Sequence, residues 1–174
     1  MKRKLLIGFF LSLVTLFGCQ GKLTSDDELV NRFLKHRENF EKLVRMMNDD
    51  TKVRTVHEDY VALDDTPIWR SDDQKGFSTA RWNEYKELFT QLGSPYIHRI
   101  SRKGDVIEIA SGSIVVHEIR DSEGPLVTSK GYSYSSKQPS PLAESLDNPQ
   151  MNPCYKRIDG NWYLYYDSGV NKPE

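Results

Sequence analysis

Two periodicities divide most of the chain. Leu29, Val30, Phe33, Leu34, Phe40, Leu43, Val44 and Met47 recur at helical spacing, which predicts one amphipathic helix over about 26–47. Ser25-Asp26-Asp27-Glu28 stands at its start. A hydroxyl followed three residues later by Glu is a capping-box signature, and acidic residues in the first turn suit the positive end of a helix. The helix is expected to end near Asn48-Asp49-Asp50. A second helix is predicted over about 79–92, with Trp82, Tyr85, Leu88, Phe89 and Leu92 on one face and Gly93, then Ser94-Pro95, as its stop.

Elsewhere the period is two. Residues 51–63 read as one or two short strands, and the Asp-rich stretch 64–77 reads as loop. Segments 96–101, 106–110, 113–120, 126–135 and 155–167 alternate as strands, with turns at Arg102-Lys103-Gly104, Ser111-Gly112 and 121–125. A hairpin centred on Ser111-Gly112 would put Ile107, Ile109, Ile114 and Val116 on one face. Asp159-Gly160 marks another hairpin, 155–158 against 162–166. Between the last strands lies an insert, 136–153, carrying Pro139, Pro141, Pro149 and Pro153. Helices followed by a meander predict an α+β domain, two helices packed on an antiparallel sheet of about five to six strands. With its closing Gly160-Asn161-Trp162-Tyr163-Leu164-Tyr165-Tyr166, the layout resembles the cystatin and NTF2-like folds, where a helix lies in a curved sheet. That likeness covers layout and closing strand, and it carries no residue across.

The first residues follow neither period. Met1-Lys2-Arg3-Lys4 is a cationic start, 5–17 is an apolar run broken only by Gly8, Ser12 and Thr15, and Leu16-Phe17-Gly18-Cys19 closes it. Thirteen residues fall short of the roughly 20 that a helix needs to cross a bilayer, but fit the apolar region of a secretory signal. The order resembles the signal of a bacterial lipoprotein, with Leu at −3, a small residue at −1 and the modified cysteine at +1. The resemblance implies a diacylglyceryl group on the Cys19 sulfur, cleavage before Cys19, acylation of the new amino terminus and attachment to the membrane through that lipid. Several acyl chains make a durable anchor where one is marginal. Gln20, in place of the Asp that retains such proteins at the inner membrane, implies the periplasmic face of the outer membrane in a Gram-negative cell. The expected organisation is a signal peptide over 1–18, the lipidated cysteine and tether over 19–24, one domain over 25–168 and a tail over 169–174. Gln20 to Thr24 would span roughly 17 Å when extended and about 12 Å on average, which holds the domain close to the membrane.

Charge narrows the partners. Residues 1–18 carry three basic and no acidic side chains, so the 156 residues after them hold 21 Lys+Arg against 25 Asp+Glu, a net charge of −4. The signs are interspersed, with no basic stripe, which argues against nucleic acid. Beyond Cys19 the one cysteine is Cys154, so no internal disulfide is available and Cys154 reads as a small buried apolar residue at a strand start.

Candidate chemistry is sparse. His57-Glu58-Asp59, His98 and His117-Glu118 bring His beside carboxylates, but strand neighbours point to opposite faces and no zinc spacing is present, so no metal or cofactor is expected. Asp64, Asp65, Asp72 and Asp73 lack the spacing of a calcium loop and read as solvated charge. Gly131-Tyr132-Ser133-Tyr134-Ser135 lacks the closing glycine and sharp turn that would expose Ser133 as a nucleophile. The aromatic residues stand out. Trp162, Leu164 and Tyr166 share one strand face, Tyr163 and Tyr165 the other, and Tyr132 and Tyr134 add to one of them. Trp82 and Phe89 are expected over one face. The other is covered by the insert or forms an aromatic groove, with Tyr132, Tyr134, Trp162, Tyr163 and Tyr165 as the ligand-binding candidates. The expected function is a membrane-tethered envelope module that binds or scaffolds an envelope protein or apolar ligand. The alternatives are a small envelope hydrolase using His57 or His117 with neighbouring carboxylates, and a carrier holding an apolar ligand between helix and sheet.

Overall fold

Ser25 caps the first helix as its position predicts, its hydroxyl accepting from the Glu28 N–H at 3.3 Å. The computed structural model describes residues 23–63, 66–69, 77–93, 97–117 and 126–170. Among the described residues there are three helices, α1 (Asp26–Lys35), α2 (Arg37–Asp49) and α3 (Thr79–Gln91). The eight strands are β1 (Val53–His57), β2 (Tyr60–Leu63), β3 (Thr66–Trp69), β4 (Ile97–Lys103), β5 (Val106–His117), β6 (Leu126–Ser135), β7 (Cys154–Asp159) and β8 (Trp162–Val170). They form one sheet in the order β3-β2-β1-β4-β5-β6-β8-β7, every neighbouring pair antiparallel. No described helix is long and apolar enough to cross a membrane.

The α+β class holds, and three features change the expected counts: two add elements, and the third merges two expected strands into one. The predicted helix over 26–47 is two helices, separated at His36, which leaves helical geometry (φ −121°, ψ 24°) while its N–H still reaches the Arg32 and Phe33 carbonyls. The break keeps both apolar stripes on the sheet: Leu29 and Phe33 from α1, and Phe40, Leu43, Val44 and Met47 from α2, are buried. Leu34, counted in the predicted stripe, is 58% exposed. Second, the stretch read as loop contains β3, which pairs with β2 from Tyr60↔Trp69 to Leu63↔Thr66. Third, Ser111-Gly112 is not a hairpin turn. β5 runs through it, and Ser111, Gly112 and Ser113 all oppose Lys130 of β6 in a bulge. The Ser111 hydroxyl donates to the Lys130 carbonyl there, a side chain standing in for an interrupted ladder bond. The extra residues change the register: Ile107 and Ile109 pair with Tyr134 and Tyr132, whereas Ile114 and Val116 pair with Ser129 and Val127, so the four do not share a register phase.

The helices lie on one face of the sheet. Trp82, Tyr85, Leu88 and Phe89 of α3 and its C-cap Leu92 are buried with Val56, Ile97 and Ile100 over the β1–β4 half. The Trp82 indole donates to the His57 carbonyl at 2.9 Å. Asp50, at the C-cap of α2, accepts from Arg81 Nε at 2.9 Å and from the Tyr85 hydroxyl at 2.8 Å, tying α2 to α3. Over the β6–β8 half the partners are Phe33 and Phe40, with Phe33–Trp162 centroids 5.1 Å apart and Phe40–Tyr132 centroids 4.5 Å apart. The aromatic strand therefore meets α1 and α2, where Trp82 and Phe89 were expected.

The insert runs along the β7 edge of the sheet. It hydrogen-bonds the open edge of β7, Ala143 N–H to the Tyr155 carbonyl and Tyr155 N–H to the Pro141 carbonyl, and so protects an edge strand from outside pairing. Its Leu146 is fully buried in the helix-side core. On the opposite face Tyr163 and Tyr165 are buried, Tyr163 facing Ser133 and Tyr165 facing Gly131 in register. A Cβ on Gly131 would lie 2.8 Å from Tyr165 Cε1 and 2.5 Å from the Ile109 carbonyl oxygen. The Tyr165 ring thus lies over the bare backbone of Gly131. Burial, then the nearby Glu108 carboxylate, push the Tyr165 hydroxyl up to about 12.

Candidate functional site

The five aromatic candidates do not form one groove. Tyr132, Tyr134 and Trp162 face the helices, and Tyr163 and Tyr165 face away. The Tyr132 hydroxyl donates to the Leu29 carbonyl at 3.0 Å, and burial raises its pKa. Phe33, Phe40, Tyr132 and Trp162 fill the space between α1, α2 and the sheet. At the ends of α1, however, two clusters of charge differ sharply in access.

The first is a closed clamp at the start of α1. Asp26 is 1% exposed. Its Oδ2 accepts from Lys156 Nζ at 2.9 Å, the Leu146 N–H at 2.9 Å and the Ser145 hydroxyl at 3.1 Å. Lys130, also 1% exposed, stands 2.6 Å from Asp26 Oδ1, an ion pair whose angle falls outside hydrogen-bond geometry. Lys130 also donates to Asp147 Oδ1 at 2.7 Å. That same oxygen accepts from the Asp26 N–H at 2.9 Å, a first-turn donor with no partner inside its own helix. Burial pushes the Asp26 carboxyl up, but Lys130, the Leu146 N–H and Lys156 together hold it at about 2. The clamp thus joins the first residue of α1 to β6, β7 and the insert. Cys154 opens β7 beside it, fully buried. Burial, then the Asp26 charge, push the thiol up, which makes it a poor nucleophile.

The second cluster is an open cleft of about 370 Å³ between α2 and the β7–β8 turn. Its floor is Tyr134, Trp162 and Val44, with the Tyr134 and Trp162 rings edge to face at 5.1 Å. Arg37 begins α2 and bridges the rim, its guanidinium 2.9 Å from Glu41 and 2.7 Å from Asp159. Both carboxylates raise the Arg37 pKa. Arg45, Asn48 and Asn161 complete the lining. Gly160 holds φ at +53°, a left-handed turn position that suits glycine and brings Asp159 and Asn161 to the rim.

The histidine sites are less developed. His57 stacks on Tyr60 at 4.9 Å and meets the edge of His98 at 5.2 Å. Its Nδ1 accepts the Asp59 N–H at 3.1 Å, and the exposed Asp59 carboxylate is 3.6 Å away. Burial, then His98, lower its pKa, favouring the neutral ring. The backbone of His117 ends β5, and its side chain lies outside the described residues, as do Glu118, Asp64, Asp65, Asp72, Asp73, the signal segment and Cys19. Ser133 is fully buried, with no partner for its hydroxyl among the described residues. No group of three His, Cys, Asp or Glu side chains among the described residues could hold a metal ion.

Sequence reasoning missed both charged clusters. The sequence marks Asp26 only as a first-turn residue, Asn48 as a helix end, and Asp159 and Asn161 as parts of a turn and closing strand, and nothing in it singles out Arg37, Glu41 or Arg45. One signal was present: Lys130 lies in phase with Tyr132 and Tyr134 on the core face of β6, where an unpaired charge is not tolerated. No protein-family model, curated protein or solved structure matches this chain.

Proposed function

We propose that this chain is a lipid-anchored protein of the bacterial envelope, held by Cys19, whose domain is a non-enzymatic binding module working through the cleft. The observation that carries the anchor is the cationic start, apolar run and Leu16-Phe17-Gly18-Cys19 order. The clamp supports it: Asp26 is seven residues after Cys19, so load on the tether would fall on a buried, multiply bonded residue. The cleft lies at the other end of α1, ten residues and so about 15 Å along the helix axis. An anchor at one end leaves the cleft facing away from the membrane, and Gln20 favours the periplasmic face of the outer membrane.

Labelling cells with an alkyne palmitate analogue tests the anchor. The wild-type chain takes up label, and Cys19→Ser takes up none and accumulates as uncleaved precursor. A Cys19→Ser chain that is processed normally and released into the soluble fraction contradicts the anchor. For the binding role, in-cell crosslinking from Asn48 is expected to give one reproducible adduct, lost on Arg45→Ala. His57→Ala leaves that adduct intact. An envelope hydrolytic activity abolished by His57→Ala would contradict the non-enzymatic reading.

A further inference from the structure

We infer that the cleft between α2 and the β7–β8 turn binds a neutral saccharide, an assignment that rests on the binding-module reading above. Charge balance is the first argument. The lining holds two cations, Arg37 and Arg45, and two anions, Glu41 and Asp159. With Arg37 held between both carboxylates, an ionic ligand of either sign meets like charge beside opposite charge, and no net field selects it. The cleft rewards a ligand that is polar without being charged.

Hydrogen-bonding capacity is the second argument. Arg45 and the side chains of Asn48 and Asn161 make no hydrogen bond or ion pair among the described residues. An amide offers two donors and a carbonyl acceptor in one plane, and a carboxylate offers about four acceptor sites, more than Arg37 uses. Neighbouring sugar hydroxyls, each donor and acceptor, match such planar groups in pairs. The third argument is the floor. Tyr134 is half-buried and stands edge to face on the buried Trp162, so Tyr134 is the ring the cleft offers to the C–H face of a pyranose. Neither the Tyr134 hydroxyl nor the Trp162 indole N–H has a hydrogen-bond partner among the described residues. A volume of about 370 Å³ lies at the small end of ligand pockets, room for one or two sugar units with the rest of a chain outside.

The test uses the full chain in a detergent without a sugar headgroup. Saturation-transfer NMR is run against N-acetylchitotetraose, cellotetraose and maltotetraose, with citrate and spermidine as charged probes. At least one oligosaccharide is expected to receive saturation and the charged probes none. The double variant Arg45→Ala, Asn48→Ala, on the exposed side of α2, is expected to weaken that binding about tenfold or more with an unchanged circular dichroism spectrum. Silence from all three sugars overturns the saccharide, and so does binding that survives the double variant unchanged. Citrate or spermidine binding lost in that variant overturns the saccharide while leaving the cleft as a binding site.

Discussion

The two ends of α1 hold the same inventory of charge and put it to opposite uses. Each has two carboxylates and two cations: Asp26 and Asp147 with Lys130 and Lys156 at one end, Glu41 and Asp159 with Arg37 and Arg45 at the other. At the clamp Lys130 and Asp26 are shut away from water, and every contact closes a gap between elements. At the cleft Arg37 and Asp159 are each 47% exposed, and the rim surrounds open space. Burial decides the difference. Buried charges must be satisfied within the fold, so they become structure, whereas half-exposed charges keep unused capacity for a ligand.

Lys130→Met tests that contrast most severely. It strips Asp26 and Asp147 of their shared ammonium, and removing one partner of a buried pair costs about 3–5 kcal/mol, read as a fall in urea midpoint. The double variant Asp26→Leu, Lys130→Met is expected to unfold later than Lys130→Met alone, because no charge is then stranded. Next comes Gly131→Ala, on the face turned away from the helices. Overpacking costs about 1–3 kcal/mol, and the upper part is expected because a backbone carbonyl as well as the Tyr165 ring stands in the way.

Acid gives a third, smaller effect. Asp26 titrates at about 2 when folded against an ordinary 3.8, so its contribution is complete above about pH 4 and is lost as pH falls toward 2. The full loss is about 2 kcal/mol. Unfolding midpoints recorded across that window should fall less steeply for Asp26→Asn than for wild type. The smallest effect belongs to the cleft: Arg45→Ala is expected to move stability by less than about 0.5 kcal/mol while weakening ligand capture. A large loss of stability there would erase the contrast.

Local signals were legible in the sequence where neighbours decide the outcome. The Ser25 cap, the whole buried face of α3, the φ +97° stop at Gly93 and the hairpin at Gly160 are all written within a few residues. The break at His36 is not, because no proline or glycine marks it and both helices keep the apolar phase across it. β3 carries too few residues to show alternation, and the β5 bulge depends on Lys130 across the sheet. The clamp is hidden for the same reason: Asp26 meets Asp147 and Lys156 across 121 and 130 residues of chain. Among the aromatic candidates the split of Trp162 from Tyr163 and Tyr165 is legible from the period of two, whereas pairing across the sheet decides that Tyr132 and Tyr134 join Trp162 on the helix side.

The orientation that follows from an anchor beside the clamp can be measured directly. Cys154 is buried and Cys19 is expected to carry lipid, so a fluorophore can be placed on an introduced thiol at Glu144→Cys, next to the clamp, or at Asn48→Cys, on the cleft rim. The full lipidated chain is then bound to vesicles containing a headgroup-quencher lipid. The account predicts strong quenching from Glu144→Cys and weak quenching from Asn48→Cys. Equal quenching, or stronger quenching at Asn48→Cys, would contradict it.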